Sequence, residues 1–150
     1  MTQLKLTALD IEDLNVISAH MQDAVILVSD MKFLPSRHQF VIVGNRFDWE
    51  HADNGGAGKE PYKRQRTGLH FNRVLTAKAY GINQKREDNV LELLSITFEE
   101  IDPPSGTITL ALAGGGTLQL AVECIEVQMS DLGVEWSTKS KPEHDLHDQP

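Results

Sequence analysis

The sequence predicts an α+β fold, in which an antiparallel, meander-rich sheet forms a curved sheet or partial barrel with a helix near each end. Short segments of alternating apolar and polar residues follow one another through most of the chain. Clusters of Gly, Pro, Asn and Asp separate these segments, as turns separate the strands of a meander. Two other segments, one near each end, carry apolar residues at helical spacing. We expect about seven or eight strands.

The length and composition are those of a globular protein. The chain has 150 residues, of which 40% are hydrophobic and 24% charged. We expect one α+β domain over residues 1–137 and a disordered polar tail over residues 138–150. The longest apolar run, Ala24–Val28, is too short to cross a bilayer, and the first residues lack the features of a signal peptide. The single cysteine, Cys124, suits a reducing compartment, so we expect a cytoplasmic protein without membrane contact.

A first helix is predicted over Asp10–Asp23, after a short strand over Gln3–Ala8. Asp10 is a suitable N-cap, because its carboxylate can accept a hydrogen bond from an early backbone N–H of the helix. Further strands are separated by turns and by a glycine-rich loop over Glu50–Pro61. These strands are predicted over Val25–Ser29, Met31–Leu34, Gln39–Trp49, Leu69–Tyr80, Val90–Glu100, Thr107–Ala113 and Thr117–Val122.

A second helix is predicted over Glu123–Leu132. Ile125, Met129 and Leu132 recur there at helical spacing, and Gly133 is placed to end the helix. This helix and the first would cover an open face or end of the curved sheet.

The charges of the chain are unevenly distributed. The segment from Lys59 to Arg86 carries a net charge of +7, whereas the whole chain carries −8, so the remainder must carry −15. Either this basic segment forms a positive face on an acidic body, or its side chains pair with the acidic remainder inside the fold. We favour internal pairing.

Several segments together resemble a bacterial family known as domain of unknown function 2948, and the resemblance covers nearly the whole chain apart from the tail. The residues that carry it are Asp23-Ala24-Val25, Asn45-Arg46-Phe47-Asp48-Trp49-Glu50, Leu69-His70-Phe71-Asn72-Arg73-Val74, Val122-Glu123-Cys124-Ile125-Glu126 and Asp131-Leu132-Gly133. The resemblance implies a single cytoplasmic domain. It brings no activity, substrate, cofactor or catalytic residue.

Candidate catalytic residues are few. His70 could act as a general base if Asp48 or Glu50 lay beside it. Cys124 would lie at the start of the second helix, where a thiol pKa can fall, but a buried structural cysteine is the favoured interpretation. The chain lacks the Walker and dinucleotide-binding glycine patterns, and four of its histidines lack metal-ligand spacing: His20, His38, His51 and His70. His144 and His147 lie in a tail rich in possible ligands, but nothing rigid would hold the geometry of a site there. We therefore expect no cofactor and no metal.

Candidate binding residues fall in two groups. Arg46 and Trp49 flank Phe47, and this cluster either contacts a protein partner or is core, with Arg46 extended at the sheet edge. If residues 62–80 formed one regular strand, Arg64, Arg66, His70 and Lys78 would share a face that could hold an anion. The acidic remainder would repel RNA, so we expect no affinity for nucleic acid.

The absence of a recognisable nucleophile, metal cage or cofactor loop favours a non-catalytic binding or adaptor module, with a protein partner or a second copy of the chain as its ligand. Two alternatives remain open. One is a small enzyme with a His/carboxylate site around His70. The other is an anion- or RNA-contacting protein that uses the basic segment 59–86.

Overall fold

The computed structural model describes residues 3–49, 62–86 and 88–138, which form one α-helix and ten β-strands joined in a single antiparallel sheet. The elements are β1 (Lys5–Ala8), α1 (Ile11–Met21), β2 (Val25–Leu27), β3 (Met31–Leu34), β4 (Gln39–Phe47), β5 (Tyr62–Asn72), β6 (Val74–Tyr80), β7 (Val90–Asp102), β8 (Ser105–Leu112), β9 (Thr117–Val122) and β10 (Val127–Thr138).

The predicted first helix is confirmed as α1. The Asp10 carboxylate accepts a hydrogen bond from the Asp13 backbone N–H at 2.8 Å, which satisfies one of the free donors at the start of the helix. Leu14, Ile17 and Met21 form the buried stripe of α1, which packs against β7, β1 and β4. The pairing of β7 with β8 shifts register between Leu93 and Ser95. Just after this shift, the Ile96 N–H donates to the Ser18 hydroxyl of α1 at 2.9 Å.

The strand order is β1-β10-β5-β4-β2-β7-β8-β9-β6, with β3 paired to β4 beside this path. The predicted antiparallel, sheet-dominated fold is therefore confirmed, and the sheet is open rather than closed into a barrel. One bend of the sheet lies at Arg73, which has a φ of 61° and separates β5 from β6. There the Glu123 N–H donates to the Arg73 carbonyl at 3.0 Å, which holds the β9–β10 connection against the bend.

The helix predicted over Glu123–Leu132 is wrong, because most of that segment belongs to strand β10, which pairs with β5 and β1. Every second residue of this segment is buried, as in a strand with one face toward the core. The buried residues are Ile125, Val127, Met129 and Asp131. Positions four residues apart, such as Ile125 and Met129, lie on one face of a helix and also on one face of a strand. Their spacing alone therefore does not distinguish a helix from a strand. Gly133 has a φ of 85° and lies at a register shift in β10 instead of ending a helix.

The other differences concern the middle and the end of the chain. The predicted strand over Leu69–Tyr80 is the end of β5 followed by β6, and β5 begins seven residues earlier, at Tyr62. The predicted loop over Glu50–Pro61 lies outside the described residues. The predicted tail also lies outside them, apart from Thr138, which ends β10.

Candidate functional site

A buried ion pair lies inside the sheet between β4 and β10. Arg46 is 1% exposed and donates from Nε to Asp131 Oδ1 at 2.9 Å and from Nη2 to Oδ2 at 2.8 Å. The Thr67 hydroxyl of β5 donates to Oδ1 at 2.7 Å, and the Leu4 backbone N–H donates to Oδ2 at 2.8 Å. A carboxylate has about four lone-pair sites, and these four donors occupy them.

Burial alone would raise the pKa of the Asp131 carboxyl, but the hydrogen bonds from Arg46, Leu4 and Thr67 and the charge of Arg46 together hold it below its ordinary value. Asp131 is therefore ionised at neutral pH and neutralises Arg46. Because protein groups surround both charges, the pair joins β4, β5 and β10 instead of facing a ligand. Arg46 is buried, whereas one sequence-based interpretation extended it at the sheet edge and the other placed it in a cluster that contacts a partner.

The Arg64 side chain is also buried inside the protein instead of lying on a binding surface. It is 1% exposed, its Nη1 donates to the Asn45 carbonyl at 3.2 Å, and its guanidinium carbon lies 5.8 Å from the centroid of the Phe47 ring. The Phe47 and Trp49 rings meet edge to face at 4.7 Å, and the Trp49 indole N–H donates to the Gln22 carbonyl at 2.9 Å. Phe47 is fully buried, which agrees with the interpretation of this cluster as core.

Other members of the basic segment lie beside acidic residues. Arg66 Nη2 lies 3.8 Å from Asp30, and Arg66 Nη1 donates to the Asn45 side chain at 3.4 Å. Two further ion pairs join Arg73 to Glu126 at 3.5 Å and Arg86 to Asp88 at 3.8 Å. Lys78 is exposed on β6. The geometry favours internal pairing of the segment over a continuous anion-binding face, although exposed pairs of this kind each contribute only about 0–1 kcal/mol to stability.

His70 is exposed on β5 and lines a groove of about 400 Å³ between β1, β5 and β10. The groove also contains Lys5, Gln128 and Leu132, and no acidic residue is found among the described residues that line it. Asp48 does not lie beside His70. The partner of His70 on β4 is Val41, and Asp48 lies seven residues further along the chain, about 24 Å at the rise of a strand. Glu50 lies outside the described residues.

Cys124 lies in the β9–β10 connection and not at a helix start. It is partly exposed instead of buried, and it lines a second groove of about 430 Å³. Apart from Cys124, this groove is formed by the N-terminal end of α1, the β7–β8 hairpin and the residue after Cys124. The lining residues there are Leu9, Asp10, Ile11, Glu12, Phe98, Glu100, Pro104 and Ile125. We call it the helix-end groove.

Within the described ranges, no group of three or more His, Cys, Asp or Glu side chains is placed to hold a metal ion. The same ranges contain no helix with the length and apolar character needed to cross a membrane.

Sequence reasoning named Arg46 as a candidate site residue but named neither Asp131, its ion-pair partner, nor Thr67, which donates to the Asp131 carboxylate. Two signals could have identified Asp131: its place in the family motif Asp131-Leu132-Gly133, and its parity with Val127 and Met129 in a strand. The helical interpretation of the segment hid the second.

Comparison with known proteins gives a family and no activity. No curated protein and no solved structure matches the chain. The family described as "Protein of unknown function (DUF2948)" matches residues 4–144, which is nearly the whole chain, as the sequence motifs indicated. The protein therefore belongs to the DUF2948 family.

Proposed function

We propose that the protein is a non-catalytic binding module that holds a basic, amphipathic segment of a partner protein in the helix-end groove. The observation that carries this proposal is the exposure of large apolar side chains in a concave, acidic setting. Leu9 is 65% exposed and Ile11 is 48% exposed, and both line the groove. Apolar side chains this exposed at a concave surface are typical of interaction sites.

The charge of the helix-end groove selects the class of partner. Asp10, Glu12 and Glu100 are its charged residues, and no basic side chain is found among the described residues that line it. A segment that combines apolar side chains with Lys or Arg would bury the first against Leu9 and Ile11 and place the second beside the carboxylates. An acidic or polyanionic partner would be repelled.

Secondary-structure elements support the walls of the groove. Phe98 and Glu100 come from β7, Ile11 and Glu12 from α1, and Ile125 is buried at its base. A groove built on a strand and a helix is already formed before the partner arrives, which lowers the ordering cost of binding.

Cys124 provides a reporter for this groove. A short amphipathic peptide of leucine and lysine should slow the reaction of Cys124 with a chromogenic disulfide reagent. At about ten times its Kd the peptide leaves about a tenth of the grooves free, so the labelling rate should fall about tenfold. The same peptide with glutamate in place of lysine should give no protection.

Two variants test whether protection of Cys124 requires peptide binding in the helix-end groove. Leu9→Ser combined with Glu100→Lys should abolish protection of Cys124 by the leucine–lysine peptide. Ile101→Ser is the matched control, because Ile101 is 67% exposed on β7 and does not line the groove, and it should leave the protection unchanged. Equal protection by the glutamate peptide, or protection that survives in the double variant, would refute the proposal. Protection that grows with protein concentration alone would identify a second copy as the occupant.

A further inference from the structure

We propose that a cleft between β3 and β6 binds an anionic amphiphile, a molecule with one apolar chain and a carboxylate headgroup. This site is separate from the helix-end groove and shares no lining residue with it. Binding in this cleft therefore does not depend on docking at the helix-end groove.

The cleft exists because two edge strands of the sheet approach each other without pairing. Strand β3 pairs with β4, and β6 pairs with β9. The Val74 N–H at the start of β6 donates to the His38 carbonyl at 2.8 Å, which joins β6 to the turn between β3 and β4. Beyond that contact the described residues of β3 and β6 form no ladder, and a cavity of about 600 Å³ opens between them. Small-molecule sites in proteins have volumes of about 300–1,000 Å³.

The walls of the cleft are apolar and continuous with the core. On one side Phe33 of β3 and Phe40 of β4 stack with their ring centroids 6.4 Å apart. Val28 and Leu118 are buried core residues that also line the cavity. Ile82, in the connection after β6, adds a further apolar side chain. An alkyl chain in the cleft would therefore exchange water for aliphatic and aromatic contacts.

Two alanines account for the empty space. Ala77 and Ala79 are the residues of β6 that line the cleft, and they lie opposite Leu120 and Leu118 of β9. Protein interiors are normally filled to crystal-like density, so small side chains beside a cavity that reaches the core leave room that the chain itself does not fill. A larger side chain at either position would close the cleft.

The charge at the cleft selects the headgroup. Of the described residues that line it, Lys32 is the only charged one, and its polar neighbours there are Ser29 and Gln84. Lys32 is exposed and forms no ion pair with another described residue. Lys32 precedes Phe33 in β3 and pairs with Val41, so its side chain leaves the strand on the face opposite to Phe33. Its long side chain can extend over the edge of β3 and bring the ammonium to the mouth of the cleft, beside a carboxylate whose alkyl chain lies among Phe33, Phe40 and the alanines.

Calorimetric titration of the protein with dodecanoate, below its micelle concentration, tests the site. We expect saturable binding of one molecule per chain, and an affinity that rises by up to about fourfold for each methylene added from octanoate to dodecanoate. Dodecanol and dodecyltrimethylammonium should bind more weakly than dodecanoate. An absence of saturable dodecanoate binding, or an affinity that does not depend on chain length, would overturn the proposal.

Protein variants test where the alkyl chain and the carboxylate headgroup of the ligand bind. Ala79→Phe should lower the dodecanoate affinity at least tenfold by filling the cleft, whereas Thr76→Phe, at an exposed position of the same strand, should not change it. Ala79→Leu gives a milder filling if the larger side chain prevents folding. Lys32→Glu should lower the affinity for dodecanoate about fivefold or more and leave that for dodecanol unchanged. Wild-type affinity in both Ala79 variants would place the ligand elsewhere, and an unchanged dodecanoate affinity in Lys32→Glu would refute the recognition of a carboxylate.

Discussion

Replacing Asp131 with Asn is expected to lower the free energy of unfolding by about 3–5 kcal/mol, because the substitution leaves the Arg46 guanidinium buried without its counter-charge. The amide NH2 of Asn also cannot accept a hydrogen bond. In one orientation it would face the Leu4 N–H and Arg46 Nη2, and in the other the Thr67 hydroxyl and Arg46 Nε, all of which donate to the carboxylate. For a chain of this size the melting temperature should fall by roughly 6–20 °C, as measured by circular dichroism.

Two controls show whether the buried charge is the cause. Removing both charges together, with Arg46→Met and Asp131→Leu, should recover part of the stability lost in Asp131→Asn, because no uncompensated buried charge remains. Recovery should be incomplete, since the Leu4 N–H and the Thr67 hydroxyl still lose their acceptor. Glu126→Gln breaks the exposed pair with Arg73 and should cost less than about 1 kcal/mol. A cost of that size for Asp131→Asn would contradict the conclusion that the buried pair stabilises the packing of β4, β5 and β10.

The lowered pKa of Asp131 also gives this pair a defined pH dependence. An unfolded Asp titrates near pH 3.9, and the folded carboxyl titrates below that value. The stabilisation is therefore complete above the unfolded pKa and is lost as the pH falls through the folded one. Urea unfolding at pH 7 and at pH 3 should show that the stability difference between wild type and Asp131→Asn shrinks at pH 3. A difference that stayed constant would contradict this assignment.

The same ion pair explains why sequence reasoning missed the start of β5. Segments with apolar residues at every second position, such as β8 and β9, were predicted correctly because their inward side chains are Leu, Ile and Val. In β5 the inward positions next to Arg46 and Asp131 are Gln65 and Thr67, both buried. A strand that lines a polar part of the interior has no apolar alternation, so its sequence is that of a loop.

The candidate sites were harder to predict than the fold, because each depends on residues distant in sequence. Arg46 and Asp131 are 85 residues apart, and neither residue type indicates which partner it will meet. The helix-end groove brings Leu9 and Ile11 to Phe98 and Cys124, and the cleft brings Phe33 to Ala79. Periodicity shows which face of a strand is buried, but it does not show which strands remain unpaired or where small residues leave space.

Gly106→Ala is expected to destabilise the fold by about 3 kcal/mol, at the upper end of the cost of overpacking a buried position. A Cβ on Gly106 would overlap the Glu99 carbonyl oxygen and would lie 2.6 Å from Phe98 Cζ. The Phe98 ring could rotate away, but the Glu99 carbonyl belongs to the β7–β8 ladder, in which Glu99 pairs with Thr107. Relief would require β7 and β8 to separate locally, and the melting temperature should fall by roughly 6–12 °C.

Gly68→Ala is the matched control, because Gly68 is also buried in a strand but its added Cβ would lie 3.8 Å from the nearest atom. We expect that variant to remain within about 1 kcal/mol of the wild type, since Ala fits the site and lowers the entropy of the unfolded chain. Combining Gly106→Ala with Phe98→Leu removes the ring contact and keeps the carbonyl contact. If the backbone is the obstacle, this double variant should not regain stability, whereas full recovery would show that the Phe98 ring alone excludes a side chain at position 106.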